Sequence, residues 1–405
     1  MHILFITDNF PPEVNAPATR TYEQCSEWVK NGYEVTVLSC VPNFPAGKVF
    51  AGYNNKRPYK VEQINGIKVI RVWSYIAANQ GFAKRILDFI SFGLSSFLAG
   101  LFIKKVDVII ATSPQFFTTV SAYMLSKFKR KPWVFELRDI WPESIRAVSS
   151  MGDSKILDWF EKLELFLYDK ANLIISVTDS FKLNLIQRGV DKSKIEVVKN
   201  GANLELYKPL SKNKKLRNSL NLDDKFVIGY IGTHGMAHKL DIFIDLAAEK
   251  SFDSRFHFLF IGAGAEKAGL MAKAKENNLK NVTFLDPVDK NDIPKYLSAI
   301  DTALVPLKKS DLFKTVIPSK IFETSSMRIP ILLGVEGESK EIIEKYKAGL
   351  SFEPENTEDF LAKLELLSGD VNVYNECQEG GSQLAKDFDR VKLANKMIKH
   401  VENIL

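Results

Sequence analysis

Apolar and β-branched residues recur in short runs along the first half of the chain, at 3–6, 34–39, 67–73, 106–111, 133–137 and 173–177. Runs of this length predict strands buried on both faces. Helical spacing fills many of the gaps. Residues 19–31 predict a helix ended by Gly32. Residues 153–171 place Ile156, Trp159, Phe160, Leu163, Phe166 and Leu167 on one face, with Asp153 or Ser154 as N-cap. This alternation predicts a parallel, doubly wound α/β sheet. The pattern then restarts. A strand at 195–198 is followed by the turn Lys199-Asn200-Gly201 and by a polar, Lys-rich stretch at 211–217 that reads as a boundary. Further strands are predicted at 226–231, 256–261, 282–285, 302–305 and 329–333. Two successive α/β halves imply two Rossmann-like domains, 1–205 and 206–382, facing each other across a cleft. A long last helix at about 383–405 is expected to pack back on the first.

One segment breaks this rhythm. Residues 86–103 are almost uniformly apolar, with Lys84 and Arg85 before them and Lys104 and Lys105 after. The run reaches the lower limit for a spanning helix, about 17 residues. Asp88, two glycines and the soluble strand that follows at once all argue against a span. Two readings remain open for 83–105: a helix of the first domain, or one whose apolar side dips into a single leaflet while its basic flanks meet an anionic surface.

The chain has 405 residues, 45% of them hydrophobic and 26% charged, enough for two cores. A net charge of +6 is too small to announce a nucleic-acid binder and suits a diphosphate or an anionic membrane. Cys25, Cys40 and Cys377 are few and scattered, which argues against a disulfide framework and fits a reducing compartment. No basic region and apolar run precede the first strand, so no signal peptide is expected.

The candidate chemistry collects where strands end. Pro318 and Ser319 turn into a helix carrying Lys320 and, one turn deeper, Glu323. Free N–H groups at such a start suit a phosphate, and the carboxylate can accept hydrogen bonds from two vicinal hydroxyls, as on a ribose. The loop Gly232-Thr233-His234-Gly235-Met236-Ala237-His238-Lys239 lets backbone approach a phosphate, with Lys239 and two histidines adding positive charge. Gly262-Ala263-Gly264 lacks the third glycine of a dinucleotide fingerprint and reads as a tight turn. The Pro-rich loop with Pro12, Glu13, Asn15, Ala16 and Arg20 follows the first strand and reads as an acceptor-side wall. Arg138 and Asp139 beside Trp141 and Glu143 offer a cation, a base and a sugar-stacking ring. His234 and His238 have no further ligand nearby in sequence, so no metal site is expected.

Together, Lys199-Asn200-Gly201-Ala202-Asn203, the 232–239 loop, Phe284-Leu285-Asp286-Pro287-Val288 and Pro318-Ser319-Lys320-Ile321-Phe322-Glu323 resemble family 4 glycosyltransferases of the GT-B architecture, over essentially the whole chain. Gly337-Glu338-Ser339 and Ala348-Gly349-Leu350 add to the likeness. The family usually carries two spaced glutamates. Glu323 matches the second, which the resemblance assigns to the nucleotide ribose, while the first falls on Thr315. The 232–239 loop also lacks the family's common arginine, which leaves His234, His238 or Lys239, with Arg138, to neutralise a diphosphate. The resemblance implies that backbone at Pro287 and Val288 holds the base. It further implies a UDP-sugar donor, retention of configuration, and no essential metal or other cofactor.

Phe10-Pro11-Pro12-Glu13, Ala16-Pro17-Ala18-Thr19-Arg20 and Arg138-Asp139-Ile140-Trp141-Pro142-Glu143-Ser144 are similar to bacterial O-antigen and capsule transferases that move an N-acetylated 6-deoxyhexosamine, notably L-fucosamine. That subgroup implies a polyprenyl-diphosphate-linked sugar acceptor and a peripheral place on the cytoplasmic membrane face. Asp139 is then the candidate to orient or deprotonate the acceptor hydroxyl, with Arg138 and Glu323 completing the catalytic set. Two other readings stay open: a GT-B-fold sugar-nucleotide 2-epimerase, and a non-catalytic nucleotide-sugar-binding partner in polysaccharide assembly.

Overall fold

A computed structural model describes every residue except 45, 57–58, 78–81, 114, 144–154 and 250–251. The expected caps Asp153 and Ser154, and Ser144, lie outside the described residues. The chain forms two α/β units, Met1–Lys199 with Val391–Leu405, and Asn200–Arg390.

The first unit holds an eight-stranded sheet in the order β3-β4-β2-β1-β5-β6-β7-β8. Its strands are β1 (His2–Ile6), β2 (Glu34–Cys40), β3 (Tyr59–Ile64), β4 (Ile67–Val72), β5 (Val108–Thr112), β6 (Trp133–Leu137), β7 (Leu173–Ser176) and β8 (Ile195–Val197). Both faces of β1 are buried, as its uninterrupted apolar run requires. Leu4 and Ile6 enter one core with Phe92 and Phe116, while Ile3 and Phe5 enter another with Trp28 and Met397. The second unit holds a six-stranded parallel sheet, β11-β10-β9-β12-β13-β14. Here β9 is Phe226–Ile231, β10 Phe256–Ile261, β11 Val282–Leu285, β12 Thr302–Pro306, β13 Ile331–Gly334 and β14 Gly349–Ser351. Each sheet reverses its order at its first strand, at β1–β5 and at β9–β12, which places both switch points at carboxyl strand ends.

Three expectations need correction. The first sheet is not wholly parallel, because β3 pairs antiparallel with β4. The hairpin turns at Asn65 and Gly66, both at positive φ, an Asn-Gly signal that the exposed, polar β3 residues obscured. The stretch at 211–217 is no linker. Residues Lys214–Ser219 form a helix whose buried Arg217 pairs with Asp301 at 2.9 Å and donates to the carbonyl of Ala299. The division instead falls after Lys199, because Ala202 exchanges backbone hydrogen bonds with Phe388 and Arg390, so 200–205 belongs with the second unit. That same exchange interrupts the expected last helix. Helix Val371–Asp387 stays with the second unit, and helix Arg390–Glu402 returns to the first, where the Trp28 indole N–H donates to the Ala394 carbonyl at 3.0 Å.

Helix Phe82–Leu101 has an inverted amphipathicity. Its buried side is built partly of Ser91, Gly93, Ser96 and Gly100 and lies tight against helix Phe116–Lys129; a Cβ on Gly100 would sit 2.5 Å from Leu125. Leu87, Ile90, Leu94 and Leu98 are exposed in one stripe, with Phe102 beyond the helix end 83% exposed. Among the described residues, no helix is long and apolar enough to cross a membrane.

Candidate active site

In the second unit, the Gly232 loop and the Pro318–Glu323 segment come together. Gly232 leaves β9 with φ +150°, and a Cβ there would meet Lys320 Nζ and Cε at 2.7 Å. Glycine is therefore required for Lys320 to lie against this loop. The Lys320 ammonium stands 3.6 Å from the centre of the Tyr230 ring. Burial pushes its pKa down to about 7, against the opposing pull of Glu323. Glu323 follows on helix Lys320–Ser326, with Arg390 Nη2 at 3.6 Å from its Oε1. Pro318 and Ser319 are half-buried at the entry to that helix. A cation, a carboxylate and accessible backbone thus share one short segment.

Other parts of the expected donor set behave differently. Gly235 does not open an α-helix. It precedes a single 3₁₀ turn, Met236–His238, so the expected helix dipole is not at that point. His234 is fully buried and His238 partly so, and burial first, then neighbouring lysines, drives both down to about 4. Both are neutral at pH 7, which corrects the expectation that they carry positive charge. His234 lies among Tyr230, Phe260 and Phe284, and neither ring nitrogen has a hydrogen-bond partner among the described residues. His238 Nδ1 sits 3.3 Å from the Pro306 carbonyl. Lys239 turns to Asp241 at 3.0 Å. The Thr315 hydroxyl donates to the Leu312 carbonyl at 2.8 Å. Gly201 accepts from Arg390 Nε at 2.7 Å, and Pro287 and Val288 lie at the accessible end of β11, with Asn200 half-buried. Lys199 belongs to the first unit and pairs with Asp179 at 2.7 Å.

In the first unit, several expected ligand groups are structural. The Trp141 ring stacks on Phe116 at 4.8 Å, packs edge-on to Phe160, and is 5% exposed, so it is core and not a sugar platform. Arg138 and Arg20 do not present free guanidinium groups. Both reach Glu136, at 3.0 Å and 3.4 Å. Burial pushes that carboxyl up, but the two arginines outweigh it and hold Glu136 below the usual range. Arg138 is therefore engaged with Glu136 and Thr21, not free to meet a diphosphate. Glu13 is buried and accepts from the N–H groups of Asn43 and Phe44, both at 2.8 Å, which ties two loops together. Asn15 caps helix Ala16–Lys30 by accepting from Ala18 N–H. Pro12, Ala16 and Glu143 are exposed, and Asp139 is half-buried with its N–H toward Ser113 Oγ at 3.4 Å.

Sequence reasoning missed several groups that share these strand ends. Asp8 follows β1 and is driven up to about 7 by burial, then by Asp88 and Glu13. Asp88, on helix Phe82–Leu101, is driven up to about 6 by burial. Gln115 and Glu136 are buried beside β5 and β6. The position of Asp8 at the end of the first strand was the one available signal. The others needed the fold.

Residues 17–206 match the family described as Glycosyltransferase Family 4, and residues 212–384 match Glycosyl transferases group 1. Each unit thus carries the pattern of a sugar-transferring family. The chain is a glycosyltransferase of this type. The transferase is 26% identical to an Escherichia coli (strain K12) glycosyl transferase named for colanic acid biosynthesis, WcaI, over 332 residues, 79% of this chain and 80% of that one. Its fold is that of sucrose-phosphate synthase from Thermosynechococcus elongatus, with a TM-score of 0.80, 15% identity and coverage of 100% and 98%. Anabaena HepE, solved with UDP and glucose, superposes with a TM-score of 0.72 at 18% identity, each chain fully covered. These are GT-B structures, and the transferase shares their two Rossmann-like units.

Proposed function

We propose that the transferase moves an N-acetylated hexosamine or 6-deoxyhexosamine, with L-fucosamine the first choice, from a UDP-sugar to a polyprenyl-diphosphate-linked sugar, in the assembly of an O-antigen, capsule or related polysaccharide. One observation carries the donor half of this reading: Lys320 lies against the Gly232 backbone while Glu323 follows on the same helix. A diphosphate beside Lys320 recovers the charge that burial suppresses, and Glu323 binds the ribose hydroxyls. The reading needs no resident metal, since the charge growing on the leaving diphosphate meets Lys320 and the backbone N–H groups of the Gly232 loop. Asp139 orients or deprotonates the acceptor hydroxyl, and configuration is retained. WcaI, named for colanic acid biosynthesis, supports a place in polysaccharide assembly.

The exposed stripe Leu87, Ile90, Leu94 and Leu98, with exposed Lys84 and Arg85 before it and Lys104 and Lys105 after, seats the first unit on the anionic inner face of the cytoplasmic membrane, where a lipid-linked acceptor resides.

The test is UDP release from a panel of UDP-N-acetylhexosamines, with and without a polyprenyl-diphosphate N-acetylhexosamine, using Glu323→Ala as control. Acceptor-dependent release that is lost in the control supports the assignment. Conversion of donor sugar with no acceptor present identifies a 2-epimerase instead. Failure of every UDP-sugar to bind sinks the donor site.

A further inference from the structure

Arg390 is the last residue of the second unit before the chain returns to the first. Backbone hydrogen bonds fix its place. Its N–H donates to the Ala202 carbonyl at 3.0 Å, and the Ala202 N–H donates to the Phe388 carbonyl at 3.0 Å, so Ala202 and Asp389 form a parallel bridge. The guanidinium is fixed as well. Its Nε donates to the Gly201 carbonyl at 2.7 Å, and its Nη2 stands 3.6 Å from Glu323 Oε1. The turn at Gly201 thus reaches Glu323 through a side chain from a distant part of the sequence.

The Arg390 and Glu323 side chains are only 15% and 19% exposed. A carboxylate so withdrawn from water depends on a nearby cation. A guanidinium is planar, so holding Nε also sets the direction of Nη2, which a lysine ammonium on its flexible stem does not do. At 3.6 Å the pair attracts but is too long for a hydrogen bond, so the guanidinium does not itself use up an acceptor position of the carboxylate. Other contacts hold the same helix, Lys320–Ser326. The Phe322 ring packs on Phe388 at 4.9 Å, and a Cβ on Gly381 would sit 3.2 Å from the Ser325 carbonyl oxygen, so the helix lies close against Val371–Asp387.

We propose that Arg390 is the positioning residue for Glu323: held by the Gly201 carbonyl, it balances the charge of the carboxylate and aims it at the two ribose hydroxyls. This rests on the reading of Glu323 as the group that binds the nucleotide ribose. It gives the Gly201 turn a part in donor binding that needs no contact with the nucleotide. An ion pair that only held the fold together would, when broken, weaken every ligand of the unit alike. A positioning residue weakens only those that carry the hydroxyls.

The experiment measures the Kd of UDP and of 2′,3′-dideoxy-UDP on the full chain by titration calorimetry. The variants are Arg390→Met, Arg390→Lys, Glu323→Ala and the double variant Arg390→Met with Glu323→Ala, each checked for a cooperative melt. The wild type is expected to favour UDP by about tenfold or more, the scale of a lost hydrogen bond to a charged group. Arg390→Met is expected to lose about tenfold for UDP and less than about threefold for the dideoxy ligand, since only UDP meets the carboxylate through hydroxyls. The double variant should bind UDP no more weakly than Glu323→Ala, because Arg390 acts through that carboxylate. Arg390→Lys should recover part of the loss through its charge. Equal losses for the two ligands in Arg390→Met, or additive losses in the double variant, overturn the proposal alone. If Arg390→Met does not melt cooperatively, Arg390→Lys carries the test, and a lysine variant that discriminates as well as the wild type overturns the proposal. A wild type that binds both ligands equally, or neither, overturns the ribose reading of Glu323 and the proposal with it.

Discussion

The two units differ in which kind of ionisable group burial perturbs most near neutral pH. In the first, burial pushes acids up, with Asp8 and Glu164 at about 7 and Asp88 at about 6. In the second, burial pushes bases down, with His234, His238 and His257 at about 4 and Lys320 at about 7. The cause is the same, since removing water penalises the charged form of either kind. The consequences differ. A carboxyl that titrates near 7, as Asp8 does, can both donate and accept a hydrogen bond near neutral pH. Suppressed bases crowded by lysines suit an incoming anion, which relieves their mutual repulsion.

The sharpest way to break this comparison is through stability against pH. Between the usual carboxyl value of 3.8 and about 7, folded Asp8 holds a proton that the unfolded chain has released, so its contribution erodes as pH rises through that window. Asp8→Asn should remove this slope, stabilising the chain at pH 8 by up to about 4 kcal/mol, at ~1.4 kcal/mol per tenfold in proton affinity. Urea melts at pH 5 and pH 8 measure it. An unchanged slope would mean that Asp8 is not neutral in the fold.

The anion side makes the next largest demand. Lys320→Met should keep the fold but lower kcat for donor turnover by about 10²–10³-fold, the usual cost of losing one preorganised group facing developing charge. A loss below tenfold would remove Lys320 from the diphosphate site.

The histidines carry the opposite sign. Folded His257 stays unprotonated between about 4 and 6.5, where the unfolded chain binds a proton, so stability falls as pH drops through that range. His257→Gln can keep a hydrogen bond to Thr283 Oγ1, which lies 2.8 Å from His257 Nε2, while removing the titration. It should lessen acid destabilisation by up to about 3 kcal/mol at pH 4, on the same ~1.4 kcal/mol scale. Melts that shift equally at pH 4 and pH 7 would refute it.

Smaller effects sharpen the contrast further. Leu94→Glu with Leu98→Glu should release the chain from vesicles of anionic phospholipid, by about 1.5–3 kcal/mol for each leucine withdrawn from an apolar setting. Retention of the double variant at high salt would contradict membrane seating. UDP binding near pH 7 should take up about half a proton as Lys320 becomes fully charged. Calorimetry in buffers of different ionisation enthalpy reads this directly, and no buffer dependence would place the diphosphate elsewhere.

Much of the framework was legible because burial on both faces leaves its mark on consecutive residues. Residues Ile3–Ile6 of β1 and the whole of β9 stand out as runs without a charged residue, β6 and β10 are each broken by one polar residue, and both units could be recognised as α/β from such runs. The segment Pro318–Glu323 was also legible, because its turn, cation and carboxylate are sequence neighbours. Trp141 was misread. An aromatic beside Arg138 and Asp139 looks functional in one dimension, yet its ring belongs between Phe116 and Phe160. Arg138 was misread as a cation available to a diphosphate, because its partner Glu136 points to it from within β6.

The sequence by itself determined the α/β class, the doubling of the unit and the turn that sets Lys320 and Glu323 on one short helix, since each depends on residues close together in the chain. Tertiary structure alone decided what each group's environment would be. It brought Gly232 against Lys320, set Asp88 and Gln115 around a cavity beyond β1, and turned the apolar stripe of helix Phe82–Leu101 outward because Ser96 and Gly100 permit close packing inward. Charge state follows burial and neighbours in space, and local sequence carries neither.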